Sequence, residues 1–140
     1  MKNNNFTIRL SNIPTTAKDL AGKLRGGEVF ALIGSLGAGK TTFVKALGKE
    51  LRVRNRITSP TFTLLHEYQG KMPQSREPLH IYHLDLYRTQ NFREVANTGI
   101  LEVWSMPGTV TLIEWADKIT KHLPKQTTTI LFEHEDILAI

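Results

Sequence analysis

Two periods of apolar residues organise this chain. Val29-Phe30-Ala31-Leu32-Ile33 is an unbroken apolar run of strand length, as a parallel strand buried on both faces requires. Just downstream, Phe43, Val44, Leu47 and Leu51 recur at helical spacing, with Lys45, Lys49 and Glu50 turned outward. That pattern predicts an amphipathic helix. Before this pair, Phe6 to Leu10 alternates as an edge strand would, and Ser11 to Pro14 reads as a turn. Thr15 or Thr16 caps a helix with Ala17, Leu20, Ala21 and Leu24 on one face. Asp19 falls in its first turn, where negative charge is favoured, and Gly26-Gly27 ends it.

Beyond the central helix, Arg52 to Thr58 is a polar loop, and Pro60 holds Ser59 extended. A short strand passes through Leu64, Leu65 and Tyr68. Gly70 to Pro78 reads as an exposed loop. Leu79 to Arg88 begins as a strand. Thr89 to Thr98 is loop and short helix, ended by Gly99. Pro107-Gly108 is a turn, and Val110 to Trp115 is a strand. Asp117 to Leu123 is a short helix stopped by Pro124, and Thr127 to Phe132 is a last strand. The tail from Glu133 to Ile140 has no clear pattern. Strands alternating with helices predict an α/β chain: a single three-layer domain over residues 1–140, its mainly parallel sheet flanked by helices. Ligands of such sheets gather at the carboxyl ends of the strands.

The join between the apolar strand and its helix carries the chemistry. Gly34-Ser35-Leu36-Gly37-Ala38-Gly39-Lys40-Thr41 fits the P-loop pattern in the strand–loop–helix context it needs. The P-loop NTPase fold is therefore expected. Gly37 and Gly39 allow close backbone approach, so that freed amides wrap a polyphosphate. The helix adds unpaired N–H groups and partial positive charge. Lys40 reaches the outer phosphates, and the Thr41 hydroxyl binds Mg²⁺. An unliganded strand–turn–helix corner is the plainer alternative.

Phosphoryl chemistry also needs a metal ligand and a group that positions water. Glu114 and Asp85 each stand at the end of an apolar strand. One holds Mg²⁺ directly or through water; the other orients water or locks a switch. Spacing leaves the assignment open, and a strand-end carboxylate that caps a helix or pairs with Arg88 is the alternative for each. Trp115 follows Glu114, and alternation turns it to the opposite side, so stacking on a base requires a bend. Ser59 and Thr61 are either γ-phosphate sensors or plain turn hydroxyls. His80 and His83 fall on opposite strand faces, which argues against a zinc pair.

Composition narrows the setting. Among 140 residues there are no cysteines, which excludes disulfides and thiolate metal sites. No apolar run reaches the roughly 18 residues of a membrane span. Met1 to Asn5 lacks the apolar stretch of a signal peptide. A cytoplasmic location is the expectation. The net charge of +5 suits a phosphate ligand, an acidic protein or RNA. Simple surface solvation accounts for it equally well, since only Arg52, Arg54 and Arg56 approach a basic block.

Four ordered motifs then carry a resemblance: Gly-x-Leu-Gly-Ala-Gly-Lys-Thr-Thr, Ser-Pro-Thr-Phe, His-x-Asp-Leu-Tyr-Arg and Ile-Glu-Trp. Together, from about Thr15 to Pro124, the chain resembles the TsaE (YjeE) family of bacterial ATPases of tRNA threonylcarbamoyladenosine (t6A) synthesis. The resemblance implies a Mg²⁺-dependent ATPase, weak alone, with ATP/ADP and Mg²⁺ as its cofactors. It implies action with the TsaD–TsaB complex, which modifies adenosine 37 of tRNA, so that tRNA is met through the complex. It also implies roles: Gly37, Ala38, Gly39, Lys40, Thr41 and Thr42 for the phosphates, and Thr41 and Glu114 for Mg²⁺. Asp85 becomes the catalytic or switch carboxylate, with Lys40 and Glu114 beside it in catalysis. Trp115 lies by the nucleotide, Ser59 to Phe62 is switch-like, and Ser11 and Asn12 approach the adenine. Ser35 departs from the family's usual Asp, and the tail after Phe132 lacks an arginine frequent in relatives. Two other classes stay open: a small-molecule P-loop kinase, with Gly70 to Pro78 as its only candidate lid, and a non-catalytic nucleotide-gated adaptor.

Overall fold

A computed structural model describes residues 5–35, 37–54, 57 and 64–133. Its strands are β1 (Asn5–Arg9), β2 (Glu28–Ile33), β3 (Leu65–Lys71), β4 (Pro78–Asp85), β5 (Thr109–Glu114) and β6 (Thr128–Glu133). Its α-helices are α1 (Ile13–Lys23), α2 (Lys40–Glu50) and α3 (Phe92–Ala96). Short 3₁₀ turns cover Leu10–Asn12, Ile100–Glu102 and Ala116–His122. The strands form one sheet in the order β1-β6-β2-β5-β4-β3. All neighbours pair parallel except β3, which runs antiparallel to β4 at one edge.

Side-chain alternation divides the core between the two faces. Phe30 and Leu32 of β2, Val110 and Leu112 of β5, and Leu79 and Ile81 of β4 pack with Ala17 and Ala21 of α1 and with Phe43, Val44 and Leu47 of α2. Val29, Ala31, Ile113, Tyr82 and Leu84 point the other way, toward Val95 of α3 and toward Ile100 and Ile119 of the 3₁₀ turns. Strand β5 is buried at every position, as a strand covered on both faces is, and its polar residues Thr109, Thr111 and Glu114 are buried with the rest. The three-layer α/β architecture with a mainly parallel sheet is as expected. Among the described residues no helix is long and apolar enough to cross a membrane.

Three local expectations need correction. Helix α1 begins at Ile13, with Asn12 as its N-cap, and not after Thr15 or Thr16. Pro14 lies in its first turn, where the missing N–H has no partner to lose and the fixed φ already suits a helix. Asp19 is therefore well inside α1, whose first turn holds no acidic residue. The helix also closes at Lys23, ahead of Gly26-Gly27.

The loop expected from Gly70 to Pro78 is shorter than drawn. Gly70 pairs with Leu79 and Lys71 with Pro78, so only residues 72–77 form the hairpin turn. Proline tolerates the first position of a strand. Gly70 is required where it stands, because a Cβ there would lie 2.6 Å from the Leu51 carbonyl oxygen. The hairpin sits at the start of β4, while Asp85 ends that strand. Turn 72–77 and Asp85 thus occupy opposite ends of the sheet.

The third correction concerns Trp115. Strand β5 ends at Glu114, and Trp115 takes a left-handed conformation with φ 60 and ψ 35. The segment Ser59–Phe62 and the tail beyond Glu133 lie outside the described residues.

Candidate functional site

Register brings the strand ends together. Glu114 of β5 lies opposite Leu32 of β2 on one side and Asp85 of β4 on the other. Two further backbone bonds close this end: Leu86 N–H donates to the Glu114 carbonyl at 3.0 Å, and Trp115 N–H donates to Leu32 at 3.2 Å. Lys118 Nζ donates to the carbonyls of Tyr87 and Thr89 at 2.5 and 3.2 Å, pinning the chain just beyond Asp85.

The P-loop joins β2 to α2 at the same end. Gly39 holds φ +104, and a Cβ there would meet Ile13 Cδ1 at 2.8 Å and Leu10 Cδ1 at 3.2 Å. It leads directly into α2, whose first intrahelical bond runs from Phe43 N–H to the Gly39 carbonyl at 2.8 Å. The first turn of α2 therefore faces the strand ends with its N–H groups.

A cavity of about 410 Å³ opens here, within the usual range for small-ligand sites. The loop and helix contribute Gly37, Gly39, Lys40, Thr41 and Thr42; the strand ends contribute Asp85, Tyr87, Glu114 and Trp115; Leu10 closes one side. Ala38 is the candidate that does not line it. Its side chain is buried in the core, and its N–H donates to Ser35 at 3.2 Å.

Lys40 is almost fully buried, at 5% exposure. Its ammonium donates to the Gly34 carbonyl and lies 3.6 Å from the centroid of the Trp115 ring. Burial holds its pKa below the ordinary 10.5, against the opposing pull of Glu114, Asp85 and Asp117. The left-handed turn at Trp115 is the bend that stacking needs, and it swings the indole back over the cavity. Tyr87 packs beside it, ring centroids 5.1 Å apart.

The carboxylates differ in setting. Glu114 is buried, at 3% exposure. The Thr41 hydroxyl donates to its carboxylate, 3.1 Å from Oε2 and 3.3 Å from Oε1, and His83 Nε2 lies 2.7 Å from Oε2. Asp85 is only partly buried and accepts from Tyr87 N–H at 3.0 Å. His80 takes no part. It bonds Glu67 and Gln69, at 2.8 and 2.9 Å, on the other face of β4.

His83, Tyr87 and Leu10 are site residues that sequence reasoning missed. A signal existed for His83: two residues before Asp85 in one strand, it shares Asp85's face. Nothing in the spacing pointed to Leu10.

A hydroxyl and one or two carboxylates fit magnesium better than zinc. Among the described residues no three His, Cys, Asp or Glu side chains converge on a point. Magnesium suits that economy, because it keeps waters and substrate phosphates among its ligands and takes few from protein.

Comparison with known proteins agrees with this geometry. Residues 8–138 match the family model for the threonylcarbamoyl adenosine biosynthesis protein TsaE. Three relatives are each described as tRNA threonylcarbamoyladenosine biosynthesis protein TsaE. The one from Treponema pallidum is 41% identical over 76% of this chain and 73% of its own. That of Synechocystis is 38% identical over 90% and 79%, and that of Bacillus subtilis 35% over 91% and 75%. The crystal structure of Bacillus subtilis YdiB superposes with a TM-score of 0.63 at 31% identity, covering 89% of this chain and 71% of that one. Strand–loop–helix geometry, strand-end acids and sequence identity agree, and the chain belongs to the TsaE family.

Proposed function

We propose that the chain binds ATP with Mg²⁺ and hydrolyses it, as the nucleotide-driven subunit of a t6A-forming assembly that includes the TsaD–TsaB complex. One observation carries the reading. The Thr41 hydroxyl and the Glu114 carboxylate meet at the floor of the P-loop cavity, with Asp85 in register beside them.

The residues divide the work by position. The loop amides and the first turn of α2 bind the phosphates. Lys40 leaves the Gly34 carbonyl to pair with the outer phosphate oxygens. Thr41 and Glu114 hold the magnesium, which when bound neutralises charge on the phosphates. Asp85, more exposed than Glu114, orients a water and takes up its proton. The water oxygen bonds to the γ-phosphorus as the bond to the β-phosphate oxygen breaks, releasing ADP and phosphate. Trp115 and Tyr87 offer the nucleoside an aromatic wall.

Among the described residues no arginine lines the cavity, so Arg88, next in the chain to Tyr87, or a partner residue is expected to supply the missing positive charge, and stimulation by the partner is expected. The kinase alternative loses its lid, because turn 72–77 lies at the far end of the sheet from Asp85.

The test is phosphate release from ATP with and without MgCl₂, and with and without TsaD–TsaB and tRNA. Magnesium-dependent release, raised by the complex, is the expected result. ATP binding without turnover in the full mixture would instead favour the nucleotide-gated adaptor. Transfer of the γ-phosphate to an added small acceptor would favour the kinase.

A further inference from the structure

We propose that His83 is the positioning residue of the metal half of the site, acting through Glu114. The inference rests on the reading that Glu114 holds magnesium, and goes on to say what holds Glu114.

His83 is fully buried, at 0% exposure, and its Nε2 lies 2.7 Å from Glu114 Oε2. A carboxylate that holds a cation only accepts hydrogen bonds, so on that reading Nε2 is the nitrogen that donates to it. Nδ1 has no partner among the described residues. Among the described residues the single polar contact of this imidazole is therefore the one to Glu114. An apolar side chain would fill the same core position without leaving a bare ring nitrogen, so packing alone does not explain a histidine here.

The other support of Glu114 is weaker and conditional. Thr41 has one hydroxyl proton, shared between the two carboxylate oxygens at 3.1 and 3.3 Å. A hydroxyl that offers its lone pair to a cation must also reorient its proton. His83 has no such second duty. Its bond holds Oε2 in either state, and the carboxylate stays aimed at Thr41. This is how a second layer of donors fixes a metal-binding carboxylate, and losing one typically weakens metal affinity about 10–100-fold.

The test is calorimetric titration of ADP into the full-length chain, in EDTA and across a MgCl₂ series. The variants are His83→Leu, His83→Gln, Glu114→Ala and the double variant His83→Leu/Glu114→Ala. Glutamine places an amide N–H about where Nε2 sits. The MgCl₂ concentration that half-maximally tightens ADP binding is expected to rise about 10–100-fold in His83→Leu. His83→Gln is expected to recover most of that shift, and affinity in EDTA to stay near wild type in both. In the Glu114→Ala background, His83→Leu is expected to add nothing.

An unshifted magnesium response in His83→Leu overturns the proposal and leaves the reading of Glu114 standing. Equal losses in His83→Leu and His83→Gln overturn it in favour of a packing role. If His83→Leu does not fold, His83→Met, which fills the site without a donor, takes its place under the same criteria. A wild-type affinity indifferent to magnesium overturns the metal reading, and this inference with it.

Discussion

The Lys40 ammonium rests 3.6 Å from the centre of the Trp115 indole, although a strand continued past Glu114 would have turned that ring to the opposite face. The left-handed backbone at Trp115 reconciles the two. Strand β5 delivers Glu114 to the cavity floor, and one reversed residue delivers Trp115 to its wall. The Lys40 ammonium therefore stands paired with an aromatic face, a contact worth about 0.5–2 kcal/mol depending on desolvation.

The bend makes a prediction about stability. A non-glycine residue at φ 60 pays roughly 1–2 kcal/mol. Trp115→Ala and Trp115→Gly both remove the ring from Lys40 and Tyr87, but only glycine relieves the backbone. Urea denaturation is expected to find Trp115→Gly more stable than Trp115→Ala by about 1 kcal/mol. The opposite order would show that β5 runs straight through Trp115 in solution.

Lys40 predicts a pH dependence. Burial lowers its pKa below 10.5 in the folded chain. Between the lowered value and 10.5 the unfolded chain binds more protons, so Lys40's contribution to stability rises with pH across that window and is lost as pH falls through the folded pKa. On the proposed reading phosphate binding runs the other way, since it uses the ammonium. Nucleotide affinity is expected to decline as pH rises through the lowered value, before 10.5 is reached. In that window binding should take up a proton, visible as a calorimetric heat that changes with buffer ionisation enthalpy. A heat independent of buffer would mean that Lys40 titrates in the ordinary range.

How much of this was legible beforehand follows from the reach of each signal. The P-loop declared itself because strand, glycines and helix are contiguous between Val29 and Leu51. Asp85 and Glu114 were legible as acids ending apolar runs, and parallel pairing put them at one end of the sheet. The start of α1 was misplaced because hydroxyls at Thr15 and Thr16 resemble caps, while Pro14 in a first turn outweighs them. Trp115 eluded alternation because that rule assumes an unbroken strand. Leu10 reaches the site only through the 3₁₀ turn before α1, a tertiary closure with no local pattern.

Two glycines separate backbone strain from packing. Gly39 holds φ +104, and its neighbours Ile13 Cδ1 and Leu10 Cδ1 are flexible side-chain tips that can yield. The strain cannot yield, so Gly39→Ala is expected to destabilise by about 1–2 kcal/mol and to weaken nucleotide binding as the loop distorts. Gly22 sits exposed in the last turn of α1, and a Cβ there meets nothing within 4 Å. Gly22→Ala is expected to raise stability by about 0.4–1 kcal/mol and leave binding alone. Thermal melts and ADP titrations of the two variants check both directions at once.

The two carboxylates should separate kinetically because their surroundings differ. Glu114 is buried between Thr41 and His83, and on the proposed reading its charge serves the cation. Asp85 accepts from Tyr87 N–H and faces the open cavity, where a water has room. Asp85→Asn keeps the shape and removes the base. It is expected to bind ATP within about threefold of wild type and to lose turnover by the 10²–10⁴-fold typical of a general base, roughly. Glu114→Ala is expected to retain some ATP binding and to lose the part that magnesium adds, along with magnesium-dependent turnover. Lys40→Ala is expected to abolish binding itself. Single-turnover phosphate release beside equilibrium ATP titrations distinguishes the three. If Asp85→Asn turned over normally and Glu114→Ala lost only rate, the assignments of water and metal would have to be exchanged.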